Sequence, residues 1–168
     1  MSRRPSPLIL VSNRGPVTFG HGADGEVEQT RGGGGLVTAL LGLVEHTPAL
    51  WVSAASSKAD HKVAAEADGG SFPMDLGIET RGRFVVIEPE TYHQYYNVVA
   101  NPMLWFIQHY LWDLSNAPDV RREELDAWEH GYVVANQAFA DAVIAELDED
   151  PDRVVMLHDY HLYTAPEA

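Results

Sequence analysis

Residues 32–35 are four consecutive glycines, set between Arg31 and the run Leu36-Val37-Thr38-Ala39-Leu40. Each glycine loses more backbone freedom on folding than any other residue and packs no side chain, so the run has no place inside a helix or strand. The residues after it have helical periodicity, and the spacing predicts a face built from Leu36, Leu40 and Leu43 or Val44 with Ala39 between them. Glycines that open directly into a helix leave backbone N–H groups bare at the positive end of the helix dipole, with no Cβ to keep a ligand away. That is the arrangement of an anion site. A flexible loop ahead of a helix has the same composition, but two neighbours favour the anion site. Arg31 adds a cation beside the loop, and Ser12-Asn13-Arg14 ends the apolar run Leu8 to Val11, so a second cation stands where an α/β sheet presents it to a ligand. The pattern fits neither G-x-G-x-x-G nor G-x-x-x-x-G-K-[ST], because Val37 occupies the sixth position and no Lys comes after the loop. A dinucleotide fold and a P-loop ATPase are both disfavoured.

The rest of the chain reads as an α/β protein, with a Rossmann-like, mostly parallel sheet flanked by helices. Leu8 to Val11 is apolar throughout, as a central parallel strand covered on both faces must be. Val17-Thr18-Phe19 and Glu26-Val27-Glu28 flank a turn-rich segment and predict a β-hairpin between the first strand and the glycine loop. Pro48 closes the first helix and Leu50 to Ala55 reads as a strand. Ser57 is the expected N-cap of a short exposed helix that reaches Asp68 and stops at Gly69-Gly70. Phe72 to Leu76 and Phe84 to Ile87 are strand candidates around an Arg81-Gly82-Arg83 turn, and Pro89 marks a helix start. Two helices broken at Asn101-Pro102 are expected next. Leu125, Trp128, Tyr132, Ala135, Phe139, Val143 and Leu147 recur at steps of three and four, predicting one long amphipathic helix over 121–147. Arg153 to Leu157 then reads as a buried strand, with His158-Asp159-Tyr160-His161 at its carboxyl end, where open α/β sheets place ligands. Leu162 to Ala168 looks like the opening of a further helix with no strand to close it, which suggests a truncated chain: one incomplete domain over residues 1–168, part of a longer protein.

Charge and composition exclude several function classes. The formal charge of −14, from 11 Lys and Arg against 25 Asp and Glu, repels phosphate backbones and acidic lipid, so neither nucleic acid nor a membrane is an expected partner. Any anion site must be a local positive pocket on a negative body. The absence of cysteine removes disulfide and thiolate chemistry, and a cytoplasmic protein is the expectation.

Two clusters could carry chemistry. His158-Asp159-Tyr160-His161 can be read as metal ligands, as a histidine general acid/base oriented by Asp159, or as polar residues that cap a strand end. The metal reading is the weakest, because a strand-to-loop context offers no fixed i,i+4 face and no third strong ligand is evident. Tyr92, Tyr95, Tyr96, Trp105, Phe106, Tyr110 and Trp112 crowd a stretch that also holds Asn97, Asn101, Gln108 and His109. Aromatics at helical spacing mostly bury area. Edged with amides, they also make sugar sites, and one face can do each.

Four motifs in order resemble the N-terminal domain of the trehalose-6-phosphate synthases, retaining GT-B glycosyltransferases of family 20. They are Ser12-Asn13-Arg14-Gly15-Pro16-Val17, Gly34-Gly35-Leu36-Val37, the set Tyr95-Tyr96-Asn97, Asn101, Leu104-Trp105 and His109-Tyr110, and His158-Asp159-Tyr160-His161-Leu162. The resemblance implies transfer of glucose from a nucleotide-glucose donor, UDP-glucose or GDP-glucose, to a sugar phosphate, and no resident cofactor or metal. It implies that Arg14 grips the acceptor phosphate, that Tyr96 and Trp105 are acceptor-site aromatics, and that Asp159 is the catalytic carboxylate that bonds the acceptor sugar. Gly34 and Gly35 would approach the donor diphosphate through backbone N–H groups. Partners are then small molecules, and a homo-oligomeric full-length form is compatible with the sequence. After Trp51-Val52 the family has Gly-Trp, a small residue and Gly, whereas this chain has Ser53-Ala54-Ala55-Ser56. That departure leaves the acceptor open to another phosphorylated polyol, such as glycerol 3-phosphate or a cyclitol phosphate in a related pseudo-glycosyltransferase. A non-catalytic sugar-phosphate-binding module is the alternative of another class. The Arg, Lys and acidic residues that hold the nucleotide in the family's second domain are not in this sequence.

Overall fold

The computed structural model describes residues 8–168 except 23, 25, 34, 45, 46, 78 and 112–119, and it does not describe the side chains of Leu36, named above for the first helix face, and Glu79. Gly34 and Trp112, both singled out above, therefore lie outside the described residues. The chain divides into two compact units, Met1–Val86 with Asp141–His158, and Ile87–Ala140 with Asp159–Ala168.

The first unit is built on a five-stranded sheet of order β5-β6-β4-β1-β7. Its strands are β1 (Leu8–Val11), β4 (Ala49–Ala54), β5 (Phe72–Asp75), β6 (Glu79–Val85) and β7 (Val154–Leu157). β1 pairs parallel with β4 and with β7, β4 pairs parallel with β6, and β5 alone is antiparallel, on β6. The apolar run of β1 is buried throughout, as its central place demands. The hairpin is β2 (Val17–His21) with β3 (Val27–Arg31), register Val17 to Arg31. Helix α1 (Gly35–Val44) starts directly out of the glycine loop. Its buried face is Val37, Leu40, Leu41 and Val44, which pack with Leu8, Leu10, Ala49, Trp51, Phe72 and Phe84. The face is thus rotated from the expected one: Leu43 is 40% exposed and Ala39 is exposed, because the i, i+3, i+4, i+7 series starts at Val37.

Helix α2 (Lys58–Glu66) has the expected cap at Ser57, whose Oγ accepts the Asp60 N–H, but it is not merely exposed: Ala59, Asp60 and Ala64 are buried. The Arg81-Gly82-Arg83 turn is not formed. Those residues lie inside β6, and the chain reverses at Leu76 and Gly77, the latter at φ +73°. Gly82 is a packing glycine there. It pairs with Phe72, and a Cβ on it would stand 2.7 Å from the Phe72 ring. Glu146, near the end of the last helix, forms a buried ion cluster with Arg83 of β6 and Arg153, the residue before β7, accepting from each at 2.9 Å.

The second unit holds helix α3 (residues 89–108), which starts at Pro89 as expected and runs unbroken through Pro102. The break predicted at Asn101-Pro102 does not occur, because Gln94–Trp105 is wound as a π-helix. Wider i→i+5 winding accommodates a residue that lacks an N–H and would clash with the carbonyl four places back in an α-helix. Helix α4 (residues 122–147) is continuous over the predicted range, again with a π-helical segment, Trp128–Tyr132; residues 141–147 belong to the first unit. Tyr132, Ala135, Phe139 and Val143 are buried as the period requires, whereas Leu125 is 57% exposed. Gly131 lets α3 approach, since a Cβ on it would overlap the Gln94 Cβ and stand 2.8 Å from the Tyr95 nitrogen. After Asp159 the chain makes two short 3₁₀ turns, Tyr160–Leu162 and Ala165–Glu167, in place of the expected helix opening. Among the described residues, no helix is long and apolar enough to cross a membrane.

Candidate functional site

In the first unit the parallel core runs β6-β4-β1-β7, so successive connections leave β1 toward opposite sides, and the carboxyl ends of β1 and β7 flank the switch point. Open α/β sheets bind ligands at that place. The two ends are joined, as His158 N–H donates to the Val11 carbonyl at 2.8 Å. Directly after β1 the turn is fixed from inside. Buried Ser12 donates through Oγ to the Arg14 carbonyl at 2.7 Å and accepts the Trp51 indole N–H at 2.8 Å, while the Asn13 carbonyl accepts Ala54 N–H at 3.1 Å. Arg14 itself is exposed.

The glycine loop is brought onto this turn. Gly32 N–H donates to the Pro16 carbonyl at 2.7 Å, and a Cβ on Gly32 would stand 2.6 Å from the Gly15 carbonyl oxygen, so glycine here serves backbone packing. Gly33 and Gly35 differ, since among the described residues, their chain neighbours aside, no atom lies within 4 Å of the Cβ either would carry. Gly35 is the first residue of α1, in the negative-φ region, so its use is open approach to a helix N-terminus and not an unusual dihedral. A chain of hydrogen bonds supports the hairpin ahead of the loop. The fully buried Asp60 accepts Phe19 N–H at 2.7 Å on Oδ1, and Ser56 N–H, Ser56 Oγ–H and Ser57 N–H at 3.0, 3.0 and 2.9 Å on Oδ2. Ala54, where the resemblance expects a Trp, is 5% exposed, and beside it buried Ser53 puts its Oγ 2.5 Å from where Gly15 would carry a Cβ.

In the second unit Asp159 takes φ +76° and ψ 169°, a region that glycine occupies and other residues seldom do. Its Oδ1 accepts Tyr160 N–H at 2.8 Å, and its Oδ2 stands 3.6 Å from His161 Nδ1. The His161 ring stacks on Tyr160 on one side, at 4.2 Å between centroids, and on Tyr96, at 5.6 Å. Tyr96 stacks in turn on Tyr92. Tyr160 Oη donates to Asn101 Oδ1 at 3.1 Å. Tyr96 and Asn101 are five positions apart and both reach the 160–161 segment; they would stand about 140° apart around an α-helix and stand about 50° apart under π winding. Trp105 is 40% exposed and stacks on His109. Behind this surface, burial raises the Tyr95 phenol well above 10.0 and pushes Tyr132 up to about 12.

The structure thus gathers the expected residues into two groups, each within one unit. Arg14 stands in the unit that holds the loop carrying Gly35, while Tyr96, Trp105 and Asp159 stand in the unit whose aromatic ladder ends at His161. The family model described as glycosyltransferase family 20 matches residues 6–168. The chain belongs to glycosyltransferase family 20. Among curated relatives, the UDP-forming α,α-trehalose-phosphate synthase of Emericella nidulans is 32% identical over 166 residues, covering 99% of this chain and 30% of that protein. An Arabidopsis thaliana protein of the same name is 34% identical, over 95% of this chain and 16% of its own. The solved α,α-trehalose 6-phosphate synthase from Burkholderia multivorans superposes with a TM-score of 0.61 at 28% identity, covering 96% of this chain and 30% of that one. The fold is that of the GT-B trehalose-phosphate synthases. The family-20 chain described here therefore spans about 30% of the length of most of the relatives it matches.

Reading the sequence missed three supports of these groups: Asp60, Tyr132 and Asn136. Asp60 had a signal, since Ser57-x-x-Asp60 is a capping-box spacing whose second member is fully buried here. Asn136 is a polar residue inside the apolar period of α4 and is 0% exposed; such a residue needs partners within reach, and Tyr132 stands one helical turn before it.

Proposed function

We propose that the protein is a retaining glycosyltransferase that moves glucose from a nucleotide-glucose to a sugar phosphate, with glucose 6-phosphate as acceptor and α,α-trehalose 6-phosphate as product. The family-20 match over residues 6–168 carries this reading, and the relatives named above are UDP-forming, which favours UDP-glucose over GDP-glucose as donor. The geometry supports a division of labour. The bare backbone at Gly35, with its neighbour Gly34, takes the donor diphosphate at the start of α1. Arg14, exposed on a turn fixed by Ser12 and Trp51, takes the acceptor phosphate. Tyr96 and Trp105 offer ring faces to the acceptor sugar, and Asp159 accepts hydrogen bonds from its hydroxyls as the catalytic carboxylate. The enzyme needs no resident cofactor or metal and works in the cytoplasm, where sugar phosphates and nucleotide sugars are made. Residues 1–168 alone form the acceptor-side domain and are inactive, because transfer requires donor and acceptor held within roughly 3.5 Å of each other.

The test is product formation by the full-length protein from UDP-glucose or GDP-glucose with glucose 6-phosphate, glycerol 3-phosphate and a cyclitol phosphate as acceptors. Trehalose 6-phosphate of retained anomeric configuration is expected. Absence of transfer to every acceptor refutes the reading and leaves a binding module. Transfer to another phosphorylated polyol keeps the enzyme and corrects the acceptor, which is the outcome that Ser53-Ala54 in place of Gly-Trp would explain.

A further inference from the structure

A residue other than glycine stays at φ +76° only when its surroundings over-determine it. For Asp159 the restraint comes from the next few residues of the chain. Tyr132 Oη donates to the Tyr160 carbonyl at 2.5 Å and accepts Tyr163 N–H at 3.0 Å. One helical turn along α4, Asn136 donates through Nδ2 to the His161 carbonyl at 3.0 Å and accepts Ala165 N–H on Oδ1 at 3.0 Å. Tyr132 and Asn136 are both fully buried, so neither can touch a substrate. Satisfying buried backbone would explain any one of these bonds. All of them, however, fall on residues 160–165, which begin at the residue after the strained one. The same residues carry the Tyr160 and His161 rings that meet Asn101 and Tyr96.

We propose that Tyr132 and Asn136 are positioning residues, which hold the backbone of residues 160–165 so that Asp159 presents its carboxylate from a conformation it would otherwise leave. The proposal rests on the role given to Asp159 above. Without the Tyr132 hydroxyl, Tyr160 and Tyr163 lose their anchors, Asp159 relaxes toward negative φ, and its side chain leaves the acceptor.

The experiment is a double-mutant cycle in the full-length protein between Tyr132→Phe and Asp159→Gly, with kcat/KM measured for UDP-glucose and for glucose 6-phosphate. Glycine at 159 removes the carboxylate and also accepts φ +76° without strain. Tyr132→Phe alone should lower kcat/KM for glucose 6-phosphate about tenfold, the scale of small displacements of an oriented group, with the KM for UDP-glucose within about twofold. In the Asp159→Gly background the same change should cost less than about twofold, because nothing is left to position. A structural role would lower activity by the same factor in both backgrounds, so additive losses overturn the proposal, as does an unchanged Tyr132→Phe enzyme. If Asp159→Gly itself leaves glucose 6-phosphate kinetics at the wild-type level, the role proposed for Asp159 falls and this inference with it. If Tyr132→Phe does not fold, Asn136→Ala carries the same cycle.

Discussion

Replacing Asp60 by Asn keeps shape and volume and changes only what the two terminal atoms can do, so its cost isolates the polar support of the hairpin. Oδ2 accepts three hydrogen bonds and Oδ1 accepts one, from Phe19 N–H at 2.7 Å. An amide has one acceptor atom, and it must occupy the Oδ2 place, because the reverse orientation would point an NH₂ at two backbone N–H groups and a hydroxyl. The NH₂ then faces Phe19 N–H. The bond to Phe19 is lost, its donor is left buried without a partner, and the remaining bonds lose charge assistance. With a charge-assisted bond worth about 1.5–3 kcal/mol and an orphaned donor costing about 1–3 kcal/mol, the net loss should be about 2–4 kcal/mol after partial relaxation. At roughly 2–4 °C per kcal/mol for a chain of this size, Tm should fall by about 5–15 °C. Urea unfolding followed by circular dichroism measures the first quantity and calorimetry the second. Hydrogen exchange adds the local readout, since the Phe19 amide should lose protection before the amides of β1. A stability change under about 0.5 kcal/mol, or a Phe19 amide as protected as in the wild type, would refute the reasoning, because a buried site with four directed donors cannot lose its acceptor silently.

The glycines of the loop should separate into two kinds: Gly32→Ala forces a Cβ to 2.6 Å from the Gly15 carbonyl and should destabilise by about 1–3 kcal/mol in urea, whereas Gly33→Ala should leave the midpoint unchanged. Gly35→Val should keep the fold but weaken use of the nucleotide-glucose about tenfold or more, measured as donor kcat/KM, because the branched side chain stands where nothing now lies within 4 Å. Gly131→Ala should lower thermal stability by about 1–3 kcal/mol, since the new Cβ overlaps the Gln94 Cβ and meets the α3 backbone at Tyr95 N at 2.8 Å. Burial raises the Tyr132 phenol from 10.0 to about 12, so between those values the folded state keeps a proton that the unfolded state has released. Stability is therefore full below pH 10 and falls as pH rises toward 12, and pH-dependent denaturation of Tyr132→Phe should show a shallower alkaline slope.

What was legible in the sequence was whatever a local pattern determines. Four apolar residues in β1, the turn residues between β2 and β3, Ser57 ahead of α2 and the three-four period of α4 each specify their element through contacts a few residues away. The errors arose where a pattern fits two structures: the period of α1 can be started at Leu36 or at Val37, and two further segments depend on what surrounds them. Gly82 reads as a turn until Phe72 is seen across the ladder, needing the space. Pro102 reads as a helix end only if the helix is α, and nothing local distinguishes the π winding that accepts it. The candidate residues Arg14, Tyr96, Trp105 and Asp159 were found as parts of motifs. Their supports were harder to see, because Asp60 serves Phe19 from 41 positions away and Tyr132 serves Tyr160 from 28. Beyond the capping-box spacing at Asp60 and a polar residue in the apolar stripe of α4, such pairs carry no signal in a single sequence.

The twelve π-wound residues Gln94–Trp105 make the length of that stretch as consequential as its composition. At about 100° per residue in an α-helix, Tyr96 and Trp105 would project from opposite sides, and at roughly 82° per residue under i→i+5 winding they return to nearly the same side. A one-residue deletion between them would turn Trp105 about 82° away from Tyr96, as a deletion turns the far part of any helix, and would split the candidate sugar surface. Natural variation in this segment should consist of substitutions without gaps. Any alignment that opens a gap between Tyr96 and Trp105 compares side chains that face different ways.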